Sequence, residues 1–227
     1  MQGLRMLAGY TGTNTQGATN TMTIGTNHAT FTAGTFVGST NITIDSYFTL
    51  NGAAFTAPSG TLLVNRKFEI SAGFGASFIH NSGTVEFGKG SLTAGWDTKD
   101  EASVVKSSGA VFNNVSFAAT GNYTRSVVDD MDVRGNLYHS NYSFINAVKP
   151  DLTAFATSTI TLKGNFIVYG AGTFGIWGRL NVLMTGAVDQ VVSQTTANCG
   201  SCLMIAKPSG IVKAASHVQF YGLYIAA

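Results

Sequence analysis

Short alternations of apolar and polar residues recur along most of this 227-residue chain. Phe48-Thr49-Leu50, Phe68-Glu69-Ile70 and Val85-Glu86-Phe87 are clear examples, and Gly, Asn, Ser or Thr follows each of them closely. A period of two residues is typical of a strand with one buried face. No stretch has convincing helical periodicity, and the best candidate, residues 97–106, reads as a polar loop or a single protruding turn.

The chain also contains internal repeats. Pro58-Ser59-Gly60 recurs as Pro208-Ser209-Gly210, and an alternating triplet follows each copy at a matching distance. A second pair is longer: Met131-Asp132-Val133-Arg134-Gly135-Asn136-Leu137 reappears as Ile160-Thr161-Leu162-Lys163-Gly164-Asn165-Phe166. In the first third of the chain the repeat step is about 20 to 23 residues, the size of one β-solenoid coil. The repeats therefore predict an all-β solenoid of parallel coils with short loop insertions.

Composition agrees with a solenoid, because the chain has 27 Gly, only 3 Pro and 11% charged residues. Gly suits tight corners, whereas an amphipathic helical protein would carry more charge. We expect two regions: a Thr/Asn/Gly-rich N-terminal cap or exchanged strand at 1–40, and the solenoid proper at 41–227. Two stretches, 96–108 and 146–158, break the coil rhythm and are expected to protrude, which is where a solenoid usually places its specific contacts.

Charge and motif content exclude several classes of function. The net charge of +2 arises from 13 Lys and Arg that are dispersed along the sequence, so no nucleic-acid partner is expected. No apolar run approaches the ~18 residues of a membrane span, and neither a phosphate-binding loop nor a nucleophile elbow occurs. Few charges and many Thr, Asn and Gly residues favour an extracellular or cell-surface protein. The strand-like pattern at Leu223-Tyr224-Ile225 favours a piece of a larger exported parent.

Both cysteines lie in one motif, Cys199-Gly200-Ser201-Cys202. One interpretation is a local disulfide that clamps a turn in an oxidising compartment. A second is a pair of reduced structural thiols, with Cys202 in the repeat position of Phe112 and pointing inward. A redox or zinc site is the third, although the motif lacks the second ligand pair of a zinc site and the βαβ setting of a redox site.

Three carboxylates, Asp129, Asp130 and Asp132, are the best candidates for chemistry, because clustered carboxylates can hold Ca²⁺ or act on a glycosidic bond. The alternative is a solvated corner, with Asp132 on the outward position of its strand. Trp96, beside an acidic group, and Trp177 are candidate surface contacts that can stack on a sugar, although a lone Trp also packs onto the coil below. We expect neither an enzyme nor a cofactor, and at most a weak Ca²⁺ or glycan site at the three carboxylates.

Four segments carry a family resemblance: Ser82-Gly83-Thr84-Val85-Glu86-Phe87, Phe112-Asn113-Asn114-Val115-Ser116-Phe117, Val133-Arg134-Gly135-Asn136-Leu137 and Ile205-Ala206-Lys207-Pro208-Ser209-Gly210. They resemble the repeats of large secreted bacterial β-solenoid proteins, among them adhesins and filamentous surface proteins. The resemblance covers roughly residues 41–227 and implies a right-handed parallel β-helix. It also implies an extracellular structural or adhesive role. Separately, uncapped terminal coils predict self-association into oligomers or fibres, and exposed Tyr and Trp residues are candidate contacts for a glycan or cell-surface ligand. The alternatives are a carbohydrate-binding or carbohydrate-cleaving β-helix, with Arg134 as the nearest base, and a phage fibre segment.

Overall fold

The structure is a computed structural model, and it describes residues 1–90, 101–118, 123–140, 144–170, 173–175, 178–195 and 198–226. Within these ranges the regular structure is β-strand apart from two 3₁₀ turns, Ala72–Phe74 and Glu101–Ser103. The 28 strands that are described form four parallel sheets, which we name A to D.

Sheet A contains β1 (Leu4–Met6), β4 (Ala29–Phe31), β7 (Phe48–Leu50), β10 (Phe68–Ile70), β13 (Val104–Lys106), β16 (Thr124–Val127), β19 (Phe144–Ala147), β22 (Thr173–Phe174) and β25 (Asn198–Cys199). Sheet B contains β2 (Thr13–Thr15), β5 (Thr35–Val37), β8 (Ala54–Thr56) and β11 (Ser77–Ile79). Sheet C contains β3 (Met22–Ile24), β6 (Ile42–Ile44), β9 (Thr61–Val64), β12 (Thr84–Phe87), β15 (Asn114–Ala118), β18 (Leu137–Ser140), β21 (Phe166–Tyr169), β24 (Gln190–Gln194) and β27 (Val212–Ala214). Sheet D contains β14 (Val111–Phe112), β17 (Met131–Val133), β20 (Thr157–Leu162), β23 (Arg179–Met184), β26 (Cys202–Ile205) and β28 (Gly222–Ile225).

Each coil contributes one strand to sheet A, one to sheet B or D and one to sheet C. The strands β1, β2 and β3 make the first coil, for example, and β4, β5 and β6 stack on them in the same order. Sheet B belongs to the first four coils and sheet D to the next five, so nine coils are described and β28 follows them. With strands about 4.8 Å apart, the stack is a rod roughly 40 Å long. The predicted parallel β-solenoid is confirmed.

The core follows from the alternation of apolar and polar residues. Phe48 and Phe68, in neighbouring strands of sheet A, are fully buried, whereas Thr49 and Glu69 beside them face outward. Because Phe48 lies opposite Phe68 in register, their rings stack with centroids 4.9 Å apart. Repeating such contacts from coil to coil produces one continuous core that no single coil can bury alone.

The repeats found in the sequence occupy equivalent positions in the stack. In the longer pair, Met131 lies opposite Ile160, Asp132 opposite Thr161, Val133 opposite Leu162 and Leu137 opposite Phe166. In the shorter pair, both Pro-Ser-Gly segments form corners that lead into sheet C. The hydroxyls of Ser59 and Ser209 each donate to a main-chain carbonyl of the preceding coil, at 2.8 and 2.6 Å. The longer repeat in the sequence therefore predicts which residues lie opposite each other in neighbouring coils.

Both predicted interruptions of the coil rhythm are present. Phe48 and Phe68 are 20 residues apart, whereas Phe68 lies opposite Val105, 37 residues further along. The first insertion ends in the turn Glu101–Ser103 and returns to sheet A at β13, so residues 104–106 form a strand and not the predicted polar loop. The second insertion holds a small hairpin, residues 148–155, closed by an antiparallel bridge between its first and last residues.

Residues 1–40, which the sequence sets apart as a cap or an exchanged strand, supply β1 to β5 of the same sheets. Leu4 lies opposite Ala29 in the parallel register that the later coils share. The buried Gln16 ties these coils together, because its amide nitrogen donates to Asn41 O at 2.9 Å and its oxygen accepts from Ser39 N at 2.8 Å. The use of this segment at a contact between subunits stays a prediction.

Candidate functional site

Four charged side chains from two neighbouring coils meet on the outer face of sheet A. Glu69 of β10 and Lys106 of β13 lie opposite each other in register. Lys67 precedes β10 at the corner, and Glu101 belongs to the 3₁₀ turn before β13. Lys67 Nζ lies 2.7 Å from Glu69 Oε2 and 2.8 Å from Glu101 Oε1, and Lys106 Nζ lies 3.3 Å from Glu69 Oε1. The two ammonium and two carboxylate groups therefore form one connected network.

The hairpin of the second insertion forms a wall beside this network. Its Leu152 and Phe155 pack on Val104, Val128 and Val148, a small apolar cluster separate from the main core. Between the hairpin and the charged network lies an open groove of about 250 Å³, which we name the hairpin groove. Its lining residues are Lys67, Glu69, Glu101, Val104, Lys106, Val128, Pro150, Asp151 and Leu152.

Neighbouring groups shift the pKa values of three side chains in the hairpin groove. Burial alone would lower the pKa of Lys67, but its hydrogen bonds to two carboxylates outweigh burial and raise that pKa. Burial would likewise raise the pKa of Glu69, yet the hydrogen bonds and charges of Lys67 and Lys106 lower it. Hydrogen bonds from Thr153 lower the pKa of Asp151. At neutral pH the groove presents three carboxylates and two ammonium groups, which can accept and donate hydrogen bonds to a hydroxyl-rich ligand.

A second cavity, of about 320 Å³, lies at the corner where the chain passes from sheet C to sheet A, and we name it the corner pocket. Asp45 and Asn65 occupy equivalent corner positions in consecutive coils, and Asn65 Nδ2 donates to Asp45 Oδ1 at 2.8 Å. Arg66 and Lys89 add two cations, so the positive charges exceed the negative ones. The lining residues are Thr26, Asp45, Asn65, Arg66, Lys89 and Gly90. This balance favours an anionic ligand, in contrast to the hairpin groove.

The structure places Asp129, Asp130 and Asp132 in three different settings. Asp129 accepts hydrogen bonds from two consecutive main-chain N–H groups of the preceding coil, at 2.9 and 2.6 Å. Asp130 Oδ1 accepts from a main-chain N–H of the following coil at 2.7 Å. Asp132 Oδ1 is buried on β17 with no hydrogen-bond partner among the described residues. No three His, Cys, Asp or Glu side chains of the described ranges are grouped to hold a metal ion. The weak Ca²⁺ or glycan site at these residues stays a prediction.

Both cysteines are buried and free in the structure. Cys199 belongs to β25 and packs in the main core, where burial raises the pKa of its thiol to about 12. Cys202 begins β26 in sheet D. The column of inward side chains that starts at Phe112 reaches β26 at Ile205, so the predicted repeat position of Cys202 is wrong. The disulfide between Cys199 and Cys202 stays a prediction.

The sequence patterns do not single out the charged network, because its members lie on separate coils and on an insertion. Glu69 and Lys106 are adjacent on the outward row of sheet A, which also contains Arg5, Thr30 and Thr49. Because this row carries both charged and uncharged side chains, a charge on it does not mark a site. The predicted surface contacts Trp96 and Trp177 lie outside the described residues.

Comparison with known proteins adds no relative: no family model, no curated protein and no solved structure matches the chain. The described residues include no helix that is long and apolar enough to cross a membrane. The functional argument therefore rests on a parallel β-solenoid with a hairpin groove on sheet A and a corner pocket between sheets C and A.

Proposed function

We propose that this protein is an extracellular structural or adhesive β-solenoid without enzymatic activity, a segment of a surface adhesin or fibre. The observation that carries the proposal is the parallel β-solenoid itself, whose last described strand, β28, has an exposed apolar side. Two inward columns of sheet D end there: Val182, Leu203 and Leu223 form one, and Met184, Ile205 and Ile225 form the other. Leu203 is 5% exposed, whereas Leu223 is 60% exposed and Ile225 is 72% exposed.

A further coil on β28 would bury these side chains in the same way as every earlier coil. Covering a Leu or Ile side chain contributes about 1.5–3 kcal/mol. The strand β28 is also the edge of its sheet, and an unpaired edge invites addition of another strand. β28 therefore fits another β-solenoid coil. Such a coil comes either from a longer parent polypeptide or from a second copy of this chain, and self-association through a second copy is the arrangement that we propose to test.

The extracellular assignment rests on composition and architecture together. Only 11% of the residues are charged, and Thr, Asn and Gly fill the corners. Each strand of a stacked coil is hydrogen-bonded to the coils on both sides, which makes a stiff rod whose backbone is poorly available to proteases. Carbohydrate binding is a second role, favoured by the hairpin groove and independent of self-association.

Sedimentation velocity over a range of concentrations tests the rod. We expect the mass to rise with concentration, and electron microscopy to show rods longer than the roughly 40 Å of nine coils. Leu223→Lys puts a charge on the inward column and should block growth. Tyr224→Lys changes the outward neighbour on the same strand and is the matched control. If the unchanged chain stays monomeric throughout and Leu223→Lys sediments identically, the self-association is wrong.

A further inference from the structure

We propose that the hairpin groove is a binding site for one residue of a neutral carbohydrate. The location is the first argument. Two separate insertions, one ending in the turn with Glu101 and one carrying Asp151 and Leu152, meet over the same strands of sheet A. Insertions on a solenoid cost extra ordering of the chain, and they are where such rods place specific contacts.

The mixture of surfaces in the groove is the second argument. Val104, Val128 and Leu152 contribute apolar surface to the groove, and the charged network contributes hydrogen-bonding groups. A pyranose ring has the same mixture, with C–H groups on its faces and hydroxyls around its edge. Small-molecule sites generally combine an apolar lining with a few placed polar groups that set orientation.

The network still has hydrogen-bonding capacity to offer a ligand. Lys67 uses two of its three N–H donors in the described contacts, one to Glu69 and one to Glu101. Glu101 uses Oε1 for Lys67, and its side chain is 63% exposed. An ammonium donor beside a carboxylate acceptor can hold two adjacent hydroxyls, and the ion pairs keep both groups in position before the ligand arrives.

Other ligand classes fit less well. Three carboxylates against two ammonium groups repel an anion, which the corner pocket suits better. A metal ion is disfavoured because Lys67 lies between Glu69 and Glu101, and the described residues include no group of three metal-ligating side chains. The volume of about 250 Å³ lies just below the range of drug-sized sites, which suits one sugar ring at a time.

A printed array of neutral and acidic glycans, followed by titration calorimetry with the best neutral oligosaccharide, tests the site. We expect neutral glycans to bind, and Glu101→Ala to weaken that binding about tenfold or more, because hydrogen bonds to charged groups are the strong ones. The matched control is Lys213→Ala, which breaks an exposed ion pair to Asp189 (2.8 Å) outside the groove and should leave affinity unchanged. Circular dichroism spectra establish that both variants are folded.

Three results would overturn the proposal. The first is an array on which no neutral glycan binds. The second is an equal affinity of the unchanged protein and Glu101→Ala for the same oligosaccharide. The third is binding of acidic glycans alone that is lost in Lys89→Ala, which would move the site to the corner pocket. None of these results depends on whether the protein forms rods, since each is measured at a concentration where sedimentation shows single molecules.

Discussion

The main-chain N–H of Asn165 donates to Oδ1 of Asn136 in the neighbouring coil, 2.8 Å away. The same contact recurs at this corner: Asn136 N donates to Asn114 Oδ1 at 2.8 Å, and Val191 N donates to Asn165 Oδ1 at 2.7 Å. The three asparagines form a ladder along the corner that leads into sheet C. Each side chain accepts from a main-chain N–H at or just after the corner, which satisfies a donor that would otherwise need another partner.

Replacing Asn136 tests the ladder. Asn136→Ala removes the acceptor for Asn165 N, so we expect the free energy of unfolding to fall by about 1–3 kcal/mol. Asn136→Asp keeps an oxygen in the same place and should lose clearly less. Urea denaturation followed by circular dichroism measures both. Equal losses in the two variants would mean that the amide nitrogen, which contacts the Tyr138 hydroxyl at 2.9 Å, is the important group.

Gly164 tests how closely the corners stack. A Cβ added there would overlap the carbonyl oxygen of Gly135 in the coil below. Overpacking of this kind typically costs about 1–3 kcal/mol, so Gly164→Ala should lower the thermal midpoint by several degrees. Gly73→Ala is the matched control, because an added Cβ at Gly73 meets no atom within 4 Å. An unchanged midpoint for Gly164→Ala would show that the corners can separate without loss of stability.

The fold was predictable because its information is local and repeated. The alternation in Phe68-Glu69-Ile70 fixes which side faces inward, and the two copies of the longer repeat fix the register between Met131 and Ile160. A solenoid needs little more, since each coil contacts only its neighbours. The prediction that Cys202 takes the repeat position of Phe112 was wrong. A turn of irregular length shifts the register there, and Ile205 occupies that position.

The site was not predictable in the same way. Glu69 and Glu101 come together because an insertion folds back onto sheet A, and the path of an insertion is not set by the coil period. Arg125 illustrates a second difficulty. It faces the core from a strand, Thr124–Val127, in which every residue is buried, so alternation of polar and apolar residues gives no clue to its direction.

Glu86 gives a prediction about pH. It lies on β12 between Leu63 and Ser116 of the adjacent strands, and burial raises its pKa above the ordinary value of 4.5. A raised carboxyl pKa favours the folded state at low pH, and that contribution is lost as pH rises through the folded pKa. Glu86→Gln should therefore raise the urea midpoint at about pH 7 and change it little at about pH 4. The same change at both pH values would point to side-chain shape and not to charge.

Arg125 is a cation buried completely inside the solenoid, and burial lowers its pKa to about 9. Its guanidinium donates to three main-chain carbonyls of earlier coils: Val64 O at 2.7 Å, Gly88 O at 3.3 Å and Arg66 O. These carbonyls lie at the corner after β9 and β12, where the first insertion interrupts the stacking of coils. The planar fork of one arginine thus links these carbonyls, and at Val64 O it adds to the main-chain N–H of Gly88, which donates there at 3.0 Å.

Arg125→Lys tests the forked geometry of the guanidinium. Lysine offers a single ammonium group, which cannot span three carbonyls and which loses its charge more readily when buried. We expect the free energy of unfolding to fall by roughly 2–4 kcal/mol, the loss of one or two charge-assisted hydrogen bonds in the core. Arg134→Lys makes the same substitution at an exposed corner and should be near neutral. If both variants have the urea midpoint of the unchanged protein, the forked guanidinium is not needed and a single donor is enough for the corner carbonyls.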